Sequence, residues 1–402
     1  MRSATCPLRA YLPWRNQATI GRCASLSRII LEKHPDPTAN GAPLTGVRAV
    51  TRLAAIGAVL LVVAVAFAYT AGWLSPHRLT QAKMMGAFDA VSGTHPGFRR
   101  NHAKGLCVTG WFDSNGNAVE WSKAAIFAAG RVPLIGRFAL AGGMPAQEDK
   151  PATVRSMALR FVPSRGQEWR TGMNNIPVFP VNSAEGFYEQ LLASKPDPAT
   201  GKPNPAAMQE FLVRHPETVR ALAVIKNRRV SSGFADSTFN SLDAFRLVNA
   251  AGDSVAVRWA TIPLQEFAAD TIAEGAHPDD NYLFDDLIAR IHRQPLRWRL
   301  VFTIGEAEDP TNDATVPWPE NRRNIDAGLV SIEHAFSEDD GPCADINYDP
   351  LVLPAGIDPS DDPLLSARSA TYARSFTLRA AEKRKKLSAA VTIQEVRAGG
   401  TR

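Results

Sequence analysis

Cysteine is scarce in this sequence, and its cysteines are not grouped. The 402 residues contain four of them, which form no C-x-x-C pair and no C-x-x-C-H run. A zinc ribbon, a thioredoxin-type redox pair and a c-type haem attachment are therefore excluded. Internal repeats are also absent, and the one compositionally biased stretch is an Asp/Pro-rich loop at 358–363.

The composition shows no extreme of any kind. Hydrophobic residues make up 45%, aromatic residues 8% and charged residues 21% of the chain. This balance is typical of globular proteins and excludes a disordered, a collagen-like or a polytopic membrane protein.

The positive net charge is confined to the N-terminus. Residues 1–52 hold eight Lys/Arg against two Asp/Glu, a net charge of +6, whereas the whole chain carries +5. The remaining residues therefore sum to −1. Because the bulk of the chain lacks a basic excess, we expect no nucleic-acid partner.

The sequence contains one long run without charge, from Leu53 to Pro76. At 1.5 Å per helical residue it can cross a hydrocarbon layer about 30 Å thick. The Arg excess before it predicts a cytoplasmic N-terminus, so the chain divides into a disordered basic leader (1–52), an inner-membrane anchor (53–76) and an extracytoplasmic, periplasmic domain (77–402).

Other interpretations of the uncharged run remain open. The small-x-small triplet Ala66-Phe67-Ala68 is typical of a cleaved export signal, which would release a soluble periplasmic protein. A buried helix of a soluble protein is a further possibility, and a start codon near Val47 would shorten the leader.

Short strands and turns dominate the exported part. Alternation and turn residues predict a hairpin of two strands around the turn at 113–117, and five further strands. These predicted strands are 108–112, 118–121, 131–141, 156–162, 244–249, 255–263 and 296–304. Helices are predicted at 183–195, 205–226, 281–293 and 376–397. The absence of βαβ alternation favours an α+β fold built on an antiparallel barrel or sandwich.

Four segments carry specific motifs. They are G-F-R-R-N-H-A-K-G at 97–105, R-F at 137–138, G-M-N-N-I-P-V-F-P at 172–180, and R-S-A-T-Y at 368–372 followed by Arg379. Taken alone, each motif has an ordinary structural explanation, such as a capped histidine or a packed helix face.

Together and in this order, the four segments resemble the haem catalases, and in particular their short, exported branch, the catalase-related peroxidases. The resemblance extends from about Thr94 to Arg379. It implies a barrel of about eight antiparallel strands with surrounding helices, preceded here by one transmembrane helix, and a haem b cofactor.

The resemblance also implies roles for individual residues. His102 is the distal histidine and Asn174 the distal amide, while Tyr372 is the proximal iron ligand, with Arg368 one helical turn before it. The haem-contacting positions are Arg99, Arg137 and Arg379 at the propionates, and Phe179 and Phe187 at the porphyrin. A neutral imidazole moves a proton between the two peroxide oxygens, and a guanidinium near the tyrosine oxygen favours the phenolate.

This sequence departs from the catalase pattern near the distal histidine. Arg100 and Asn101 replace two valines, Ala139 replaces a hydroxyl residue two positions after the strand arginine, and Ala141 replaces a valine. The segments that flank the catalase core are also shortened. We therefore expect a more open route to the haem, with weak catalase activity.

The sequence leaves three functions open. The first is a peroxidase that reduces hydrogen peroxide or organic hydroperoxides with a small organic electron donor and serves as an antioxidant outside the cytoplasm. A hydroperoxide isomerase on the same barrel needs no reductant. The third is a non-enzymatic barrel that binds haem or lipid. The oligomeric state is not predicted.

Overall fold

The computed structural model describes residues 46–71, 73–75, 78–150, 153–164, 166–269 and 280–400. The chain divides into two compact units, Met1–Ala68 and Tyr69–Arg402. Most of the predicted leader, residues 1–45, lies outside the described residues, so its predicted disorder stays a prediction.

Helix α1 spans Gly46–Thr70, and none of its residues is buried. It begins before the predicted anchor, because helical structure includes the flanking Arg48 and Arg52. The helix is long and apolar enough to cross a membrane, although a signal sequence would pass the same test.

The second unit is built on a closed antiparallel barrel. Its ten described strands are β1 Gly105–Ser114, β2 Gly130–Leu140, β3 Arg155–Phe161, β4 Trp169–Asn174, β5 Phe239–Asn240, β6 Phe245–Val248, β7 Ser254–Pro263, β8 Leu296–Ile304, β9 Asn324–Phe336 and β10 Ile357–Pro359. Eight of them pair in the ring β7-β5-β4-β3-β2-β1-β9-β8, which closes because β8 also pairs with β7. The predicted eight-stranded barrel is thus confirmed.

Helices surround this barrel in the described part of the chain. They are α2 Gln81–Ser92, α3 Ala184–Ala193, α4 Pro205–Arg214, α5 Pro216–Lys226, α6 Tyr282–Arg293, α7 Pro363–Glu382 and α8 Ile393–Arg397. The predicted helix 205–226 is two helices, because Pro216 has no N–H to continue the first one. Helix α7 begins at its N-cap Asp362, whose side chain accepts from the Leu364 N–H, and not near Phe376 as predicted.

One strand prediction is wrong. Residues Asn117–Glu120 form a 3₁₀-helix and not the second strand of a hairpin. The Asn115 side chain accepts a hydrogen bond from the backbone N–H of Asn117, which turns the chain locally. Strand β1 pairs instead with β2 along its whole length.

Aromatic side chains fill the interior of the barrel. The Trp169 ring lies 4.9 Å from that of Phe161, 5.1 Å from that of Trp259 and 5.9 Å from that of Phe127. These four rings belong to one buried hydrophobic core. Since strand side chains alternate between two faces, the other face of β2, β3 and β4 points outward, away from this core.

Candidate active site

A cavity of about 1280 Å³, including its open mouth, lies against the outer face of β2, β3 and β4. All nine residues predicted for the site line it: Arg99, His102, Arg137, Asn174, Phe179, Phe187, Arg368, Tyr372 and Arg379. The structure thus brings together residues from four separate segments of the chain, while their individual roles stay predictions.

Small side chains form the barrel face of this cavity. Ala139, Ser156 and Asn174 are partners in register across β2, β3 and β4. In the next outward-facing row, Arg137 pairs with Ala158, which pairs with Gly172. Rows of Ala, Ser and Gly leave room for a flat group to lie against the strands.

The backbone is strained at two points of the cavity. His102 and Leu242 are the two non-glycine residues of the described chain with positive φ, 57° and 69°, and both line the cavity. Such conformations persist where the surroundings hold them, often at functional sites. At His102 the anchor is Asn101, whose side-chain oxygen accepts from the N–H groups of His102 and Gly142, each at 2.9 Å.

The His102 imidazole is hydrogen-bonded to the barrel. Its Nδ1 lies 3.0 Å from the Ser156 Oγ, and the Ser156 hydroxyl donates to the side-chain oxygen of Asn174. Burial and the nearby cations Arg137 and Arg368 lower the pKa of His102 to about 3. The imidazole is therefore neutral near pH 7 and can accept a proton.

The three predicted propionate arginines gather at one end of the cavity around a buried carboxylate. Arg137 makes a two-point contact with Glu338, with distances of 2.7 and 2.8 Å. The Arg99 guanidinium lies 3.7 Å from the same carboxylate, and Arg99 and Arg379 both donate to the carbonyl oxygen of Ile346.

This cluster has an excess of positive charge. Three guanidiniums and one carboxylate, counted as +3 and −1, leave +2. Burial opposes the charge of Glu338, but Arg137 and Arg99 outweigh it and lower its pKa to about 2. Burial and the other two arginines lower the pKa of Arg99 to about 9, which shows how closely the cations are crowded. The site therefore suits a ligand with two carboxylates.

Helix α7 presents Tyr372 to the cavity. Arg368 lies one turn earlier, with its Cζ 5.9 Å from the centroid of the Tyr372 ring. The guanidinium of Arg368 forms an ion pair with Asp243, whose side chain is 2% exposed. This pair fixes the cation beside the tyrosine.

Apolar side chains cover the remaining wall. Met84, Met85 and Phe88 from α2 line the cavity. The Phe187 ring lies 5.9 Å from Phe88 and 5.7 Å from Phe179. Both predicted phenylalanines thus belong to one aromatic wall.

The residues present fit a haem. In the described part of the chain, no group of three or more His, Cys, Asp and Glu side chains could hold a metal ion directly. A single tyrosine on the cavity wall matches an iron whose other ligands come from a porphyrin. The small residues of the barrel face, the aromatic wall and the +2 cluster match a flat apolar ring with two carboxylates.

A disulfide bond supports the charged end of the cavity. It joins the buried residues Cys107 on β1 and Cys343 in the segment after β9, 236 residues apart. Arg99 donates to the carbonyl oxygen of Cys343. The spacing of the cysteines gave no sign of this bond.

Three further residues were missed by sequence reasoning: Ser156, Asp243 and Glu338. Each acts on a predicted site residue from a distant segment. For Ser156, the sequence signal is Ala139, which stands where catalases carry a hydroxyl residue.

Comparison with known proteins agrees with this geometry. A family model described as Catalase matches residues 75–399. The chain is 34% identical over 301 residues to a catalase-related peroxidase of Synechococcus elongatus, which covers 75% of this chain and 89% of the relative. It is 31% identical over 299 residues to a catalase-related peroxidase of Mycolicibacterium paratuberculosis, with 73% and 93% covered.

Solved structures show the same fold. A bacterial catalase superposes with a TM-score of 0.63 at 24% identity, over 71% of this chain and 58% of that chain. Catalase A of Saccharomyces cerevisiae gives a TM-score of 0.62 at 20% identity, over 71% and 62%. The relatives named above identify an oxidoreductase that acts on peroxide, and the chain belongs to the catalase family.

Proposed function

We propose that this chain is a haem b peroxidase that reduces hydrogen peroxide or an organic hydroperoxide with a small organic electron donor. In overall balance, a hydroperoxide and a two-electron, two-proton donor give an alcohol or water, a second water and the oxidised donor. The observation that carries this proposal is the His102 imidazole, hydrogen-bonded to Ser156, in the same cavity as Tyr372.

A bound haem supplies the redox chemistry of O–O cleavage. His102 accepts the proton of the hydroperoxide O–H group and delivers it to the other oxygen, which departs as water or alcohol. The low pKa of His102 keeps the imidazole ready to accept that proton at neutral pH. The Asn174 amide donates hydrogen bonds that orient the peroxide.

Tyr372 would hold the haem iron as phenolate. Arg368 lies beside this tyrosine, since both side chains are on one face of α7. The cluster of Arg99, Arg137, Arg379 and Glu338 binds the two propionates with matched charge.

An external donor is supported by the cavity mouth and by the small residues around the distal histidine. Ala139 lines the cavity where catalases carry a hydroxyl residue. The open mouth would let an organic reductant approach the haem, which would favour donor oxidation over dismutation of hydrogen peroxide.

Export as a single-pass inner-membrane protein, with an antioxidant role outside the cytoplasm, is part of this proposal. It is supported by helix α1, by the arginine excess before it and by the Cys107–Cys343 disulfide. Disulfides persist mainly in oxidising compartments.

The test measures oxygen evolution and donor oxidation on one haem-loaded preparation. We expect donor oxidation to exceed oxygen evolution by far. Vigorous oxygen evolution with negligible donor turnover would show that the protein acts as an ordinary catalase and would contradict the proposal. Conversion of a lipid hydroperoxide to an isomeric product without any donor would instead support the isomerase alternative.

A further inference from the structure

We propose that the hydroxyl of Ser156 is the positioning group of the distal site, because it sets the direction in which both His102 and Asn174 present their reactive atoms. It takes this role in place of the hydroxyl that is missing at Ala139. The inference rests on the proposed function, and it assigns a role to a residue outside the predicted site.

The first argument is the register of the sheet. Ser156 lies on β3 between Ala139 on β2 and Asn174 on β4, and it is the paired residue of both. Directly paired residues share one face of a sheet, with Cβ atoms about 5 Å apart. A hydroxyl on either strand can therefore reach the same imidazole, and in this chain it stands on β3.

The second argument is the direction of the hydrogen bonds. A serine hydroxyl has one proton, and here it is donated to Asn174 Oδ1. The Ser156 oxygen must therefore accept the hydrogen bond that joins it to His102 Nδ1, 3.0 Å away. The imidazole then carries its proton on Nδ1.

This assignment has a consequence for each partner. With Nδ1 protonated and the imidazole neutral, His102 Nε2 keeps its lone pair and is the atom that accepts a proton. With Oδ1 engaged by Ser156, the Asn174 amide has its Nδ2 hydrogens left to donate. If the Ser156 hydroxyl instead donated its proton to His102 Nδ1, Nε2 would carry the imidazole proton and could not act as a base.

The third argument is the location of these hydrogen bonds in the cavity. Ser156 is 8% exposed and lines the cavity with both partners. His102 is also fixed at its backbone by Asn101. Asn101 thus holds the backbone of His102, and Ser156, together with a hydrogen bond to the backbone of Leu140, holds its imidazole.

The experiment uses the full-length, haem-loaded protein in detergent, with Ser156→Ala and the double variant Ala139→Ser/Ser156→Ala. Ser114→Ala is the matched control, because Ser114 is a buried serine on a barrel strand outside the cavity, where it donates to the Phe127 carbonyl at 2.9 Å. Two rates are followed by absorption: the reaction with peroxide, and the binding of cyanide. Cyanide arrives as HCN and needs a base to take its proton, so it reports on His102 without turnover.

We expect Ser156→Ala to keep its haem and to lose roughly tenfold in both rates, the usual scale for a group that orients a reactive residue. The double variant should recover most of the loss, because the hydroxyl introduced on β2 would face the same imidazole from the neighbouring strand. Ser114→Ala should behave as the wild type.

Unchanged rates in Ser156→Ala, or a double variant no faster than the single one, would overturn the inference. A purely structural role for Ser156 would not be rescued by a hydroxyl on another strand. If the wild type binds cyanide but does not react with peroxide, the proposed function fails, while the cyanide rates still decide the role of Ser156.

Discussion

The guanidinium of Arg368 is paired with the buried carboxylate of Asp243, one helical turn before Tyr372. Asp243 lies in the segment between β5 and β6, whereas Arg368 lies on α7, so the pair joins that segment to the helix that carries the predicted iron ligand. Its cation is held beside the Tyr372 ring by a partner that cannot be reached by solvent.

Asp243→Asn should lower the free energy of unfolding by about 2–4 kcal/mol, because it leaves a partly buried guanidinium without its counter-charge. Urea unfolding of Asp243→Asn, Arg368→Gln and the double variant measures this. The double variant should lose clearly less than the sum of the two single losses. Additive losses would show that the two side chains do not stabilise one another.

His102→Ala should slow the reaction with peroxide by roughly 10²-fold or more, the scale of a lost acid–base group, without loss of haem. The matched control is His95→Ala. His95 lies in the same segment, but its Nε2 hydrogen-bonds to the Ser92 carbonyl at 2.9 Å and it does not line the cavity. Stopped-flow absorption gives both rates. An equal loss of rate in the two variants would show that His102 has no specific role in the reaction with peroxide.

Stability should depend on His102 in acid. Its pKa is about 3 in the fold against 6.5 for the model compound, so the unfolded chain binds more protons between these values. The contribution is complete above pH 6.5 and is lost as the pH falls towards 3, by at most about 1.4 kcal/mol per pH unit. Unfolding of the wild type and of His102→Gln across this window should show a shallower slope for the variant. Parallel slopes would mean that His102 titrates normally in the fold.

Much of the barrel could be predicted from the sequence, because alternating side chains and turn residues are local signals. Strands β2, β3, β7 and β8 were found within a residue or two of their bounds. Strand β9 was missed because a bulge next to Gly328 shifts the alternation, so that the buried residues Ile325 and Ala327 are followed by Val330 and Ile332. Helix α2 was not predicted, and its apolar side chains face the cavity and α3.

The site was predicted where its residues lie in short motifs. Ser156, Asp243 and Glu338 could not be found in this way, since each depends on a contact between distant segments. The contact of Ser156 follows from the register of three strands, and that of Glu338 from the way the segment after β9 folds back to Arg137. The disulfide is of the same kind, because its two cysteines are 236 residues apart.

The domain that carries the cavity should lie outside the cytoplasm. A C-terminal alkaline phosphatase fusion should be active in an export-competent bacterial host, and peptide mapping under alkylating conditions should recover Cys107 and Cys343 as one linked peptide. A chain made without residues 1–75 in a reducing cytoplasm is the control, and it should show both thiols free. An inactive phosphatase fusion, together with a fluorescent cytoplasmic reporter fused at the same junction, would show that the domain lies in the cytoplasm.

The central claim is that Tyr372 binds iron in a haem held by this cavity, and the absorption spectrum of two tyrosine variants tests it most directly. Tyr348 lines the same cavity and is the matched control, since burial raises its pKa and disfavours the phenolate. Tyr372→Phe should lose the tyrosinate charge-transfer band and retain less haem, while Tyr348→Phe should keep both. An unchanged haem content and an unchanged charge-transfer spectrum in Tyr372→Phe would contradict the account.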